Sequence, residues 1–243
     1  MFFLFLTAQP MLAQATEMIQ GPLTFVKGAT YAGSEACLTC HEKEGRDCAL
    51  SPHYKLNLKA DEGGASQGCE MCHGPGSVHA ENSDQKNNII NPRKDPRICF
   101  NCHADKKQEF RLPYHHPVME GKISCSDCHD CHGPDITPSA TSMEEPNQLC
   151  FKCHKDQEGP FVYEHAALRE GCTVCHKVHG SIHEKMLLVR DANLCLRCHM
   201  QTNYSAGFIG AVSGHTSRMG ETCYSGGCHT AVHGSNFDKA LKY

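Results

Sequence analysis

Seven segments of the chain read Cys-x-x-Cys-His. They are Cys37, Cys40 and His41; Cys69, Cys72 and His73; Cys99, Cys102 and His103; Cys125, Cys128 and His129; Cys150, Cys153 and His154; Cys172, Cys175 and His176; and Cys195, Cys198 and His199. An eighth, Cys223, Cys228 and His229, reads CYSGGCH, with four residues between its cysteines. This spacing suits one chemistry. Two thiols add to the vinyl groups of one haem, and the next residue holds an imidazole beneath the iron. Zinc ribbons, iron–sulfur sites and disulfide scaffolds use paired cysteines but need no His after every second one. The repetition therefore predicts eight covalent c-type haems.

The remaining histidines give the haems their second ligand. After the first, third, fifth and seventh motifs the next His lies far off, at His53, His115, His165 and His215. After the even motifs it lies close, at His79, His132, His179 and His233, and three of these precede Gly133, Gly180 and Gly234. The unit is a motif, a His, a second motif and a second His. It recurs four times, over 37–79, 99–133, 150–180 and 195–234. Sixteen of the 18 histidines are used, so every iron is expected to be bis-histidine. His116 and His183 are left over, since His115 keeps the 12-residue offset seen between His41 and His53.

The run from Cys125 to Gly133 holds a second, overlapping frame, Cys128, Cys131 and His132. The sixth motif, Cys172 to Gly180, aligns without gaps on the first frame. Cys131 and Cys48 are then spare thiols. A bridge between them needs α-carbons within about 7 Å.

An iron with two imidazoles has no open position, which suits electron transfer rather than catalysis at the metal. No phosphate loop, dinucleotide fingerprint or nucleophile elbow occurs. The methionines hold no repeated position and read as packing. A net charge of −4 excludes a strongly basic nucleic-acid footprint. The short basic run Asn91 to Arg97 reads as a linker between the first two units, or a dock for an acidic partner cytochrome.

The elements that hold these residues must be short. With 21 Gly, 12 Pro, no Trp and 7% aromatics, the interior must be filled by something other than aliphatic side chains. Helices are expected over 37–46, 146–156 and 191–200, with mostly coil elsewhere, little or no β-sheet and an elongated haem chain. At the N-terminus the apolar run Phe2 to Leu6 and the Ala13-Gln14-Ala15 site read as a signal peptide over 1–15. A segment over 16–30 follows, then an octahaem domain over 31–240. A short membrane anchor or an ordinary buried segment is the alternative reading of the terminus. No later apolar run approaches the roughly 20 residues of a transmembrane helix.

Several stretches carry a family resemblance. Tyr31 to Cys37, Ser51-Pro-His53-Tyr54-Lys55, Cys69 to Gly76, His115-His-Pro-Val and Glu170 to Gly180 resemble the DmsE/MtrA family of periplasmic multihaem cytochromes. The likeness covers roughly 30–240. It implies a largely irregular wire of haems in the periplasm, associated with the outer membrane and partly inserted in a β-barrel porin. Such a wire takes electrons from a periplasmic cytochrome and passes them to an extracellular multihaem cytochrome. A periplasmic shuttle or donor to a terminal reductase is the second reading. An extracellular haem filament, or a reductase with one five-coordinate iron, is the third.

Overall fold

The computed structural model describes residues 23–54, 68–85, 87–133, 135–136, 147–199, 208–209, 212–213, 222–225 and 227–243. The expected signal peptide and His215 lie outside them.

Each motif folds as one turn closed by its own backbone. The His N–H donates to the carbonyl of the first Cys: His41 to Cys37 and His103 to Cys99 at 2.9 Å, His73 to Cys69 at 3.1 Å, His154 to Cys150 at 2.9 Å and His176 to Cys172 at 3.0 Å. In the eighth motif His229 makes the same bond to Cys223 at 2.9 Å. The closing bond is thus kept despite the two extra residues of this motif.

The alternation seen in the sequence recurs in the backbone. The first, third and fifth motifs begin on short helices, Ser34–Leu38, Arg97–Phe100 and Gln148–Phe151. A second helical segment follows each, at Glu42–Cys48, Ala104–Glu109 and Lys155–Gln157. The motif His sits at the break with nearly constant dihedrals: φ −106°, ψ 45° at His41, φ −94°, ψ 54° at His103 and φ −97°, ψ 54° at His154. The helices expected over 37–46 and 146–156 are therefore each broken in two at the motif His. The third, Ala192–His199, runs unbroken to its His. The fourth and sixth motifs start as 3-10 turns, Cys125–Asp127 and Cys172–Val174.

The described strands are two-residue pairs, and two of these pairs share one register. Tyr114–His115 lies antiparallel to Gly180–Ser181, and Tyr163–Glu164 to Gly234–Ser235. Each ties the segment before a far His to the residues after a close one. Glycine is required at these crossings. A Cβ on Gly180 would lie 2.1 Å from the Glu109 carbonyl oxygen. Gly234 has φ +147° and lies under the Phe161 ring. Ser181 and Ser235 follow and are fully buried; Ser181 Oγ donates to the Leu187 carbonyl at 2.6 Å, and Ser235 Oγ donates to that of Lys242.

The aliphatic core is small. Phe100, Phe110, Val118 and Met119 form its one cluster among the described residues, with Ile123 and Cys125 against it. Polar side chains join the two motifs of a unit instead. The buried Glu70 carboxylate accepts from the backbone N–H groups of Ala32 (2.9 Å), Gly33 (2.8 Å) and Gly76 (2.8 Å). Asn147 Oδ1 accepts from Cys172 N at 2.7 Å, and its amide donates to the Leu168 carbonyl at 2.6 Å. Ser34 stands three residues before its motif as Asn147 does, and its Oγ accepts from Cys69 N at 3.2 Å. The basic run is paired internally: Arg97 with Asp95 at 2.6 Å and Arg93 with Asp127 at 2.5 Å.

Candidate haem sites

The motif histidines face partners far along the chain. Seven pairs of rings stand with centroids 6.0–6.3 Å apart: His41 with His79, His53 with His103, His73 with His132, His116 with His154, His129 with His179, His165 with His199, and His176 with His233. Five have interplanar angles of 20–28°. With a metal–imidazole bond of about 2.0–2.1 Å and roughly 1.1 Å from nitrogen to ring centre, two rings across one iron stand about 6.3 Å apart. The pairs fit one metal atom between each two rings. Among the described residues no three or more His, Cys, Asp and Glu side chains converge as a bare metal centre.

The pairing follows a rule. A far His reaches forward two motifs: His53 to the third, His116 to the fifth and His165 to the seventh. A close His reaches back two: His132 to the second, His179 to the fourth and His233 to the sixth. At the N-terminal end His79 has no earlier even motif and closes on the first. Every facing pair thus joins segments distant in sequence.

The cysteines show how the motifs follow one another. First cysteines act on one another in pairs, Cys37 with Cys69, Cys99 with Cys125, Cys150 with Cys172 and Cys195 with Cys223. Burial, then the neighbouring Cys69, pushes the Cys37 thiol up to about 11. Burial, then Cys223, does the same to Cys195. In the middle pairs the shared bond pulls Cys125 and Cys150 down to about 7 and raises Cys99 and Cys172. Second cysteines face the next unit: Cys72 feels Cys102, Cys128 feels Cys150 and Cys153, and Cys175 feels Cys198. Each motif thus lies within electrostatic reach of the next along the chain.

The structure differs from the sequence expectation at His115. Its Nδ1 donates to the Leu112 carbonyl at 2.5 Å and its Nε2 faces the Glu120 carboxylate at 3.1 Å. Both nitrogens are engaged, and neither is left for a metal. Burial pulls the His115 pKa down, but Glu120 and the Leu112 carbonyl outweigh it and hold the ring above its ordinary value. The neighbouring His116 takes the place facing His154, with its Nδ1 on the Val178 carbonyl at 2.6 Å. His165 is its equivalent, with Nδ1 on the Val232 carbonyl at 2.8 Å. Val178 and Val232 each precede a close His. His183 sits on a turn, its N–H donating to Ser181 Oγ at 3.0 Å.

Other ligand candidates are oriented the same way. His73, His176 and His229 direct Nδ1 at the carbonyls of Ile90 (3.0 Å), Lys185 (2.9 Å) and Ala240 (2.6 Å). That bond leaves Nε2 for the metal and fixes the ring plane. Burial lowers the pKa of His73, His179 and His233, favouring the neutral imidazole that a metal binds. In the ambiguous fourth motif, His129 and His132 face different partners, His179 and His73, and Cys128 N closes the turn on Cys125 O at 3.2 Å. Cys48 and Cys131 border the junction of the second and third motifs, where Cys48 acts on Cys72 and Cys131 on Cys99. Ser51 joins them, its N–H on the Cys48 carbonyl (2.9 Å) and its hydroxyl on that of Cys131 (3.0 Å).

Residues 115–159 and 165–204 match the family described by a doubled CXXCH motif. The chain is 29% identical over 247 aligned residues to the multiheme cytochrome MtrA of Shewanella baltica, covering 93% of this chain and 69% of that protein. It is 24% identical over 115 residues to the cytochrome c-type protein NrfB of Haemophilus influenzae, covering 42% of this chain and 50% of that one. The paired motifs carry c-type haems, and the chain is a multihaem c-type cytochrome similar to MtrA over nearly its whole length.

Proposed function

We propose that the chain holds eight covalent haems, each iron between two histidines, and relays electrons from the periplasm through an outer-membrane porin to an extracellular acceptor or cytochrome. The proximal ligands are His41, His73, His103, His129, His154, His176, His199 and His229. The distal ligands are His79, His132, His53, His179, His116, His233, His165 and His215 in the same order. His215 is assigned to His229 by elimination, as the one far His of the four units without a facing ring among the described residues. When bound, each haem supplies a one-electron site with no open coordination position. The protein's part is to fix ring planes through the Nδ1 bonds, to seat the thiols, and to hold consecutive motifs together.

The observation that carries the reading is the run of facing histidine pairs. Seven pairs, one at each of the first seven motifs, stand at a separation that suits one iron between two rings. A hydrocarbon layer about 30 Å thick blocks charge, and a polar-lined barrel is the structure that could sheath such a row across it. Among the described residues no helix is long and apolar enough to cross a membrane. The likeness to MtrA over nearly the whole chain supports the conduit reading, with localisation in the periplasm at the outer membrane.

The test has two parts. Intact mass of the denatured holoprotein should show eight haem additions. Affinity purification from solubilised outer membranes should bring down a β-barrel with haem-stained protein. Liposomes carrying both should then pass electrons from outside dithionite to an enclosed dye. A haem protein that fractionates wholly as soluble periplasm and binds no barrel refutes the conduit and leaves the shuttle.

A further inference from the structure

The ligand assignment above rests on ring pairs that look alike, yet their outer partners differ in charge. His73, His116, His165, His176 and His229 direct Nδ1 at neutral main-chain carbonyls. His179 directs its Nδ1 at the Glu109 carboxylate, 3.0 Å away. We infer that Glu109 is a positioning residue that lowers the reduction potential of the fourth-motif haem relative to its neighbours, placing a low step near the middle of the row. This rests on the reading of His129 and His179 as the two ligands of that haem.

A carboxylate accepting the Nδ1 proton gives the imidazole more anionic character. The ring then donates more charge through Nε2 and favours the oxidised iron. The carboxylate's own negative charge acts in the same direction. A main-chain carbonyl provides less of the first effect and none of the second.

The local structure holds this contact in place from three sides. Lys106 Nζ grips the other Glu109 oxygen at 2.7 Å and also reaches Asp105 at 3.1 Å. The Phe110 ring meets His179 edge-on at 5.3 Å. The backbone of Glu109 is pressed against Gly180, the residue after His179, leaving no room for a Cβ there. Side chain and imidazole are thus fixed to one another through both main and side chain. At the first motif Glu44 approaches His41 Nδ1 only to 3.7 Å, beyond hydrogen-bond reach, and both groups are about half exposed. That carboxylate is screened and serves as the control.

Optical potentiometric titration of the holoprotein, with low-temperature electron paramagnetic resonance, tests the inference. In Glu109→Gln one haem component should move to higher potential, the low-spin signal of one haem should change, and the other components should stay. Lys106→Gln frees the second carboxylate oxygen and should move the same component to lower potential. Glu44→Gln should change nothing. Opposite shifts in the two variants cannot come from a general loosening of the fold. If both variants titrate as the wild type in a fully low-spin protein, the inference is overturned and the ligand assignment stands. A high-spin haem in the wild type overturns the assignment, and the inference with it.

Discussion

His115 and His116 are adjacent, and removing one or the other should give opposite results. In His116→Ala the haem on Cys150 and Cys153 keeps His154 and loses the imidazole facing it at 6.1 Å. One iron in eight becomes five-coordinate, so about one eighth of the haem should turn high-spin and bind one carbon monoxide per chain after reduction. The fold loses little: the Nδ1 bond to Val178 is one neutral hydrogen bond, worth about 0.5–1.5 kcal/mol. His115→Ala should do the reverse. It removes the partner of Glu120 Oε1, in a carboxylate whose Oε2 is already buried without a partner. Stranding that charged group costs about 1–3 kcal/mol, while every haem stays low-spin. Reduced–carbon monoxide difference spectra give the open sites, and thermal unfolding followed by circular dichroism gives stability. Carbon monoxide binding in His115→Ala together with none in His116→Ala would refute the reasoning from nitrogen occupancy and restore the 12-residue offset.

Four further outcomes are expected. Glu70→Ala leaves three backbone N–H groups without their carboxylate and should cost about 2–4 kcal/mol in denaturant unfolding, with the segment around Ala32 and Gly33 losing protection from hydrogen exchange first. Gly180→Ala forces a methyl onto the Glu109 carbonyl and should cost about 1–3 kcal/mol or more, opening the Tyr114–Ser181 pair to exchange. Cys125→Ala should leave the fourth haem on one thioether by peptide mass mapping, while Cys131→Ala keeps both; the opposite pattern would move the attachment frame to Cys128, Cys131 and His132. Arg97 holds the Asp95 carboxyl below its ordinary range, so the pair's stabilisation of about 1 kcal/mol is present above about pH 4 and is lost as pH falls through the lowered native value. Asp95→Asn should therefore remove that part of the acid dependence of the melting temperature.

The attachment sites were legible because c-type attachment is local. Two thiols and an imidazole must meet one macrocycle within a single turn, so the spacing itself is the signal, and even with the insert between Cys223 and Cys228 the closing bond from His229 to Cys223 persists. Distal ligands are not local, and an offset counted along the chain is a poor ruler for them. His53 lies 12 residues after His41, His116 lies 13 after His103, and His165 lies 11 after His154. What is constant between the latter two is the strand beneath them. Tyr114–His115 and Tyr163–Glu164 pair in the same register with Gly180–Ser181 and Gly234–Ser235, so a Tyr two residues earlier marks the facing His where counting from the motif does not. Glu70, Asn147 and Glu109 were invisible for a related reason: each acts on a group that the fold, not the sequence, brings near.

The pairing rule explains why the repeat contains two motifs rather than one. A row in which each motif used its own next His would be a string of separate beads, each with too small an aliphatic core to order itself. Here the rings that face the interior odd motifs come from the unit before and those that face the interior even motifs from the unit after, so two sets of links run along the chain in opposite directions. Each interior junction is spanned by both. The His116–His154 pair ties unit two forward to unit three, and the His129–His179 pair ties unit three back to unit two. Losing one ligand leaves the other set to hold the row, whereas a chain built on one motif per unit would part at that point. Such a rule also repeats only after two motifs. Inserting or removing one motif would set far histidines against close ones, while inserting or removing two leaves every interior partner in register.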